Sequence, residues 1–395
     1  MRISTVGFQN DAVAQMQALE AEIAQTQGEL STGLQIQNAA DNPSGMAQVN
    51  ELNMELSASQ QYVTNGNAAS ANMKLEEQSL TEATNVLQSA QDLAVQANNS
   101  SLSAAERQNI AAQLQQQLQQ LVGIANSTDS NGNYLFGGYA ASAQPFAQSG
   151  NSVSYSGADA VNQIQISANQ RISSGDTGAS VFMNIPAGNG TFTTAAAAGN
   201  TGSASIDAGS VVDPAAWVPD TYSISFTSPT QYQVTNSADT VVASGTFSSG
   251  STIAFAGVQV TVNGTPASGD SFTIAPAGTA SAFSTLSSLI STLTSTTLNQ
   301  GQITTQIGAA LEQLGGAITN MDNVQASVGA RLDAISSSQS TAQSEQTDLQ
   351  SSIAQLADVD YAAATTQLNT EEVGLQAAQE SYASLAKLSL FNYLS

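Results

Sequence analysis

Apolar residues recur every three to four positions through most of this chain, and every second position in one central stretch. Those two periods belong to a helix face and a strand face, so the pattern divides the chain before composition is considered. From Ser352 to Ser395, Tyr361, Leu368, Leu375 and Tyr382 stand seven apart, with Ala364, Ala378 and Leu385 between them. This is an a/d seam of period 3.5, interrupted once, at Glu371. Near the other end Met16, Ile23 and Leu30 are again seven apart, with Leu19 and Thr26 between them. Both stripes are narrow and padded with alanine, and such a helix needs a partner seam. The terminal segments, residues 1–40 and 352–395, are therefore expected to order when copies of the chain assemble. The candidate assembly residues are Met16, Leu19, Ile23, Leu30, Tyr361, Leu368, Leu375, Tyr382 and Leu385.

Between these ends the helical period continues. Asn42 is a good N-cap and Pro43 a good first helical residue. Met46, Val49, Leu52 and Leu56, then Leu75, Leu80, Val86, Leu87 and Leu93, predict one long helix to about Ala97, with Gly66 a weak point. Ser103 with Glu106 forms a capping box that opens a further helix carrying Ile110, Leu114, Leu118, Leu121 and Ala125. Helical spacing resumes at Phe283, Leu286, Leu289, Ile290 and Leu293, and again from Ile303 through Ile335 to Leu356.

From about Phe146 to Pro276 the apolar period drops to two. Tyr222, Ile224 and Phe226 alternate with serines, as do Val258, Val260 and Val262 with polar residues, and Phe272 with Ile274. Asn263-Gly264 marks a turn in a longer hairpin loop, and Ala195 to Gly209 reads as a mobile linker. The chain is thus mainly α with an inserted antiparallel β domain. Residues 41–145 and 281–351 form a helical rod built from both chain halves, and 146–280 an exposed β-rich domain.

Composition narrows the function classes. The 395 residues include 30 acidic and 6 basic ones, a formal charge of −24, and neither histidine nor cysteine. Scattered basic residues supply no patch for a nucleic-acid backbone or an anionic membrane. The commonest transition-metal ligands, the commonest general base and every thiol are missing, so no cofactor or metal is expected. The opening MRISTVGFQNDAVAQM has no apolar h-region and no cleavage site, so no cleaved signal peptide is expected.

Three short patterns hint at chemistry. Ser384-Leu385-Ala386-Lys387 matches S-x-x-K, but the Lys-Thr-Gly and Ser-Asp-Asn partners of Ser-Lys acyl enzymes are missing. Asp129-Ser130-Asn131-Gly132-Asn133 hints at a calcium loop, yet Tyr134 and Ala140 stand where glycine and glutamate belong, so it reads as a turn. The glutamines from Gln113 to Gln120 fall between leucines at helical spacing and read as a solvated helix face. No catalytic residue is assigned, leaving a Ser-Lys hydrolase as a remote alternative.

Several segments together resemble the flagellin superfamily, and most closely the flagellar hook-associated protein 3 family, the L-type hook–filament junction proteins. They are Met1-Arg2-Ile3-Ser4-Thr5, Leu30-Ser31-Thr32-Gly33 with Ala40-Asp41-Asn42-Pro43, Asn131-Gly132-Asn133-Tyr134-Leu135-Phe136-Gly137-Gly138-Tyr139 with Pro145-Phe146, Gly269-Asp270-Ser271-Phe272-Thr273-Ile274, Asp358-Val359-Asp360-Tyr361-Ala362, and Leu388-Ser389-Leu390-Phe391-Asn392-Tyr393-Leu394. The match covers both helical halves and is thin over the β insertion. Members place a basic residue shortly after the Ser-X-Gly turn, where this chain has Leu34-Gln35-Ile36. The resemblance implies a non-enzymatic subunit exported unfolded through the flagellar type III apparatus and held beforehand by an export chaperone. It implies an extracellular place at the hook–filament junction, with the terminal helices as inner core and the β domain facing solvent. The implied partners are further copies of itself, hook-associated protein 1 and flagellin. A filament flagellin is the alternative, although flagellins commonly end in proline and a short basic tail that this chain lacks.

Overall fold

The computed structural model describes residues 5–387, except the side chains of Thr5, Val6, Phe8 and residues 385–387. In chain order the elements are α1 (Thr5–Thr32), α2 (Pro43–Ala97) and α3 (Ala104–Ala125). Then come β1 (Phe146–Ser149), β2 (Ser152–Tyr155), β3 (Gln163–Ser167), β4 (Gln170–Ser173), β5 (Ile185–Pro186), β6 (Phe192–Ala196), β7 (Ser205–Ile206) and β8 (Ser210–Val211). They are followed by β9 (Tyr222–Ser228), β10 (Gln231–Thr235), β11 (Val241–Thr246), β12 (Thr252–Phe255), β13 (Val258–Asn263), β14 (Ser271–Pro276) and β15 (Thr279–Ala280). The chain returns to helix in α4 (Ala282–Thr294), α5 (Gln300–Ala357) and α6 (Tyr361–Lys387). This is a mainly α chain with an antiparallel β insertion. It divides into two compact units, one of residues 1–64 with 338–395, the other of residues 65–337.

The helix boundaries follow local chemistry. Asn42 Oδ1 accepts the Gly45 N–H at 2.9 Å, capping α2 ahead of Pro43. Ser103 and Glu106 close the capping box of α3, and Ser281 with Ser284 does the same for α4. Asn299 and Gln302 exchange the equivalent pair, each side chain accepting the other's N–H at 2.9 Å, at the start of α5.

In the larger unit, α2 and α5 run antiparallel, with Gln325 Nε2 donating to Thr81 Oγ1 at 2.9 Å. The core is built from Met73, Leu80 and Leu87 of α2, Leu114 and Leu118 of α3, Phe283 and Leu286 of α4, and Ile307, Leu314 and Met321 of α5. Leu75, expected on the inner face, is 37% exposed. Met73 is fully buried in its stead, because it stands seven residues before Leu80 and shares its face, whereas Leu75 stands five before it and is turned away.

The expected boundary at residue 146 marks a change of secondary structure but not of core. Phe146, Ile166, Ile172, Phe182 and Ile185 all join the helical core. The second core begins at Phe192 and ends at Ile274. It lies between a five-stranded sheet ordered β11-β10-β9-β14-β6 and a smaller sheet ordered β12-β13-β7, with β8 also on β13. The predicted alternation holds: Tyr222, Ile224, Phe226, Val258, Val260, Val262, Phe272 and Ile274 are all buried.

Two expectations are corrected here. Asn263-Gly264 turns the chain, with Gly264 at φ +94°, but β13 and β14 do not form a hairpin. The segment carries the chain from one sheet to the other, since Pro266 has no N–H for a ladder. Residues 195–209 are likewise not a free linker. Asn200 Oδ1 accepts the Ser271 N–H and its Nδ2 donates to the Ser271 carbonyl, both at 2.8 Å. The buried Asp270 carboxylate accepts the N–H groups of Thr201 (2.8 Å), Gly202 (3.0 Å) and Ala267 (2.8 Å). The segment's own Asn200 and the distant Asp270 hold it in place.

Candidate assembly surface

In the smaller unit α1 and α6 pack against each other as an antiparallel pair, so each terminal stripe finds a partner within one chain. Met16, Leu19, Ile23 and Leu30 on α1 are half-buried, as are Leu368, Leu375 and Tyr382 on α6, and Ala364 is buried. Tyr361, expected as the first seam residue, is 58% exposed and its phenol lies over Gly33. A first-turn residue has no preceding helical turn to pack on, which sets it outside the stripe. The Leu385 side chain and the segments Met1–Ser4 and Leu388–Ser395 lie outside the described residues.

Glu371, the apparent defect in the seam, is buried at 8% exposure. Thr26 Oγ1 donates to its Oε2 at 3.0 Å and Gln367 Nε2 to its Oε1 at 2.9 Å. Thr26 itself is 2% exposed. The heptad spacing puts Thr26 in the first stripe and makes Glu371 the interruption of the second. It did not show that the two polar residues face each other, which is how a seam fixes one register.

The chain enters and leaves this pair through clamped turns. Gly33, at φ +76°, ends α1. The Val359 N–H donates to the Gly33 carbonyl at 3.0 Å, and the Gln35 N–H to the Ala357 carbonyl at 2.7 Å. The Leu34-Gln35-Ile36 segment, which lacks the family's basic residue, is thus held to the break between α5 and α6 by backbone bonds, with Ile36 buried. Asp41 Oδ2 accepts the N–H groups of Gln37 and Asn38, and Asp360 Oδ1 caps α6 through Ala362 and Ala363.

Apolar side chains remain on the outside of this unit. Val13 is 38% exposed, Leu34 38%, Met54 68% and Val373 66%. A helix pair with half-buried seam residues and bare valines has apolar surface left for further partners.

The aromatic motif of the larger unit is a core device. Phe136 and Phe146 are fully buried and meet Phe182 edge-on at 5.1 and 5.6 Å, while Phe146 also meets Phe283 at 5.1 Å. Gly138, at φ +61°, lies so close to the carbonyls of Ala158 and Ala160 that no side chain fits.

Ser384 Oγ donates to the Ser381 carbonyl at 2.9 Å on an exposed face, and the side chain of Lys387 is not described. Asp129 Oδ1 accepts the N–H groups of Asn131 (2.8 Å) and Asn133 (2.9 Å), an Asx turn. Among the described residues no group of three or more Asp or Glu side chains is arranged to hold a metal ion, and no helix is long and apolar enough to cross a membrane.

One charged cluster was not legible in sequence. Glu76 on α2 is 2% exposed, and its Oε1 accepts the Asp176 N–H at 3.0 Å. Asp176 in turn is ion-paired with Arg331 of α5. Burial pushes the Glu76 carboxyl up, the Asp176 charge pushes it further and the Arg331 guanidinium pulls it back, leaving it at about 8. Nothing distinguishes Glu76 from its solvated neighbour Glu77 except helix phase.

Comparison with known proteins gives these features a class. Residues 3–141 match the bacterial flagellin N-terminal helical region and residues 311–394 the bacterial flagellin C-terminal helical region. Residues 195–276, the sandwich, match the D2-like domain of flagellar hook-associated protein 1. Terminal helices of this kind around an inserted sandwich define a flagellin-type structural chain. A crystal structure of Xanthomonas campestris FlgL superposes with a TM-score of 0.71 at 32% identity, covering 77% of this chain and 99% of that one. Hook-associated protein 3 from Legionella pneumophila gives 0.74 at 29% identity, over 78% and 98%. Flagellar hook-associated protein 3 of Salmonella typhimurium is 33% identical over 185 residues, 47% of this chain and 58% of that relative. The chain belongs to the flagellar hook-associated protein 3 (FlgL) family.

Proposed function

We propose that the chain is a non-enzymatic building block of the bacterial flagellum, joining hook to filament by assembling with copies of itself. The observation that carries this reading is the α1–α6 pair, whose described seam leucines stay half-buried while Val373 stays exposed. Burying one such side chain contributes about 1.5–3 kcal/mol, so a ring of neighbours covering several per subunit gains substantially. In this reading residues 1–40 and 352–395 form the inner core of the assembly, 41–145 and 281–351 the surrounding helical layer, and the β insertion the solvent-facing domain. Hook-associated protein 1 lies on one side and flagellin on the other. Export proceeds through the type III apparatus after an export chaperone releases the C-terminal helix.

Immunogold labelling of sheared, purified flagella with antibody to residues 192–276 tests the location. One cluster at the hook end of each filament is expected. Gold along the whole filament would replace this reading with a flagellin, and no gold would remove the flagellar location.

A further inference from the structure

The five-stranded sheet of the sandwich ends on one side at β6 and on the other at β11. The β6 end is closed, since Thr194 is buried and its hydroxyl donates to the Asp207 carbonyl at 2.8 Å. The β11 end is open. Among the described residues β10 is its only hydrogen-bonded neighbour, and Val241, Val242, Ser244, Gly245 and Thr246 are all exposed. The Phe247 N–H donates to the Thr230 carbonyl at 2.8 Å, and Thr246 lies opposite Gln231. Antiparallel pairing alternates, so the N–H and C=O groups of Ser244 and Thr246 point away from β10. Natural sheets blunt such an edge with lysine, proline, a charge or a bulge. β11 has no lysine, proline or acid. Its one irregularity, the register shift between Val234 and Thr235, falls beside Val242 and leaves Ala243 to Thr246 regular.

We propose that β11 is a self-association edge, on which a second copy of this chain lays its own β11 antiparallel about a two-fold axis at Gly245. Ser244 of each copy then faces Thr246 of the other, and their outward N–H and C=O groups pair, joining the two sheets into one. Gly245 suits the axis. It meets its own counterpart there in a non-hydrogen-bonded pair, where Cα atoms approach to about 4.5 Å, and it brings no side chain to that approach. Charge selects the occupant. The chain carries −24, yet no strand of the five-stranded sheet holds a charged residue, and none occurs between Asp239 and Asp270. Two such chains repel each other over a screening length of about 8 Å at physiological salt, so they touch at least cost where both are neutral. A basic partner gains nothing from an uncharged strand, and it would be drawn to the acidic helices instead. The strand is also self-complementary, as a two-fold contact requires. This inference is independent of the junction reading, and its failure leaves that reading untouched.

The test is sedimentation equilibrium of the full chain, from low micromolar to near millimolar concentration and at two ionic strengths. A reversible monomer–dimer equilibrium is expected, tightening as sodium chloride screens the repulsion between copies. Ser244→Pro removes an outward N–H but no ladder bond, so it should abolish the dimer and leave thermal unfolding nearly unchanged. Ser244→Asp should weaken the dimer at least about tenfold, by setting like charges beside each other on the paired strands. The double variant Ser244→Asp with Thr246→Lys puts opposite charges face to face across the axis and should recover most of that loss. A double variant as weak as Ser244→Asp would overturn the register about Gly245. A chain that stays monomeric throughout would overturn self-association and leave the edge to a strand of another protein. Species growing beyond a dimer would overturn the two-fold pairing in favour of a head-to-tail contact. A dimer that survives Ser244→Pro but not Val373→Asp would move the contact to the terminal helices and overturn the proposal.

Discussion

Thr26 and Glu371 stand 345 positions apart and share a 3.0 Å hydrogen bond in the seam between α1 and α6. The contact fixes which residue of one terminal helix meets which residue of the other. Thr26→Val should therefore leave Glu371 buried with one donor lost, costing about 1–3 kcal/mol in local opening measured by amide hydrogen exchange in both helices. The double variant Thr26→Val with Glu371→Leu should return to within about 1 kcal/mol of the native chain, since an apolar pair can replace a buried polar one. A double variant no more stable than Thr26→Val would show that the pair is not coupled.

Val373 is 66% exposed, so Val373→Asp should shift the stability of the free chain by no more than about 0.5 kcal/mol. Incorporation into flagella in a complementation assay should nevertheless be lost, because a carboxylate would be buried against a neighbour. Normal incorporation would place the assembly surface elsewhere.

Glu76 gives the larger unit a pH signature. Its carboxyl titrates at about 8 in the folded chain, against 4.5 for an unperturbed group, so the folded state holds a proton that the unfolded state has released. The contribution is fully present below 4.5 and fades as pH rises through 8. Glu76→Gln, which stays neutral, should therefore match the native chain at pH 4 and exceed it increasingly up to pH 9, by a few kcal/mol. Urea midpoints measured across that range decide the matter, and parallel curves would refute the assignment.

Asp270→Ala removes the acceptor of three backbone N–H groups from a buried position. A loss of about 3 kcal/mol or more is expected, with hydrogen exchange rising first at Thr201 and Gly202. The helical core should be spared, because the sandwich has a core of its own.

Gly138→Ala should cost at least about 2 kcal/mol, combining a left-handed φ with contact against the Ala158 carbonyl. Gly132→Ala, at φ +81° but with open space around it, should cost only about 1 kcal/mol. Equal losses in thermal unfolding would mean that backbone strain, not close approach, explains the glycine pair in Phe136-Gly137-Gly138.

Periodicity and capping chemistry alone placed the helices. The capping box of Ser103, the N-cap of Asn42 and the alternation of Tyr222, Ile224 and Phe226 act over a few residues, where the chain's own spacing decides which groups meet. The two terminal stripes announced in the same way that each helix needed a partner. What required the tertiary structure is every relation between distant segments. The partnership of Thr26 with Glu371, the tie of Asn200 to Ser271 and of Thr201 and Gly202 to Asp270, and the passage of Phe146 and Phe182 into the helical core are of this kind. So is the burial of Glu76 beside a solvated Glu77. In each case an identical side chain is solvated or buried according to what the fold brings against it. That choice depends on contacts between segments scores to hundreds of residues apart, which no local period encodes.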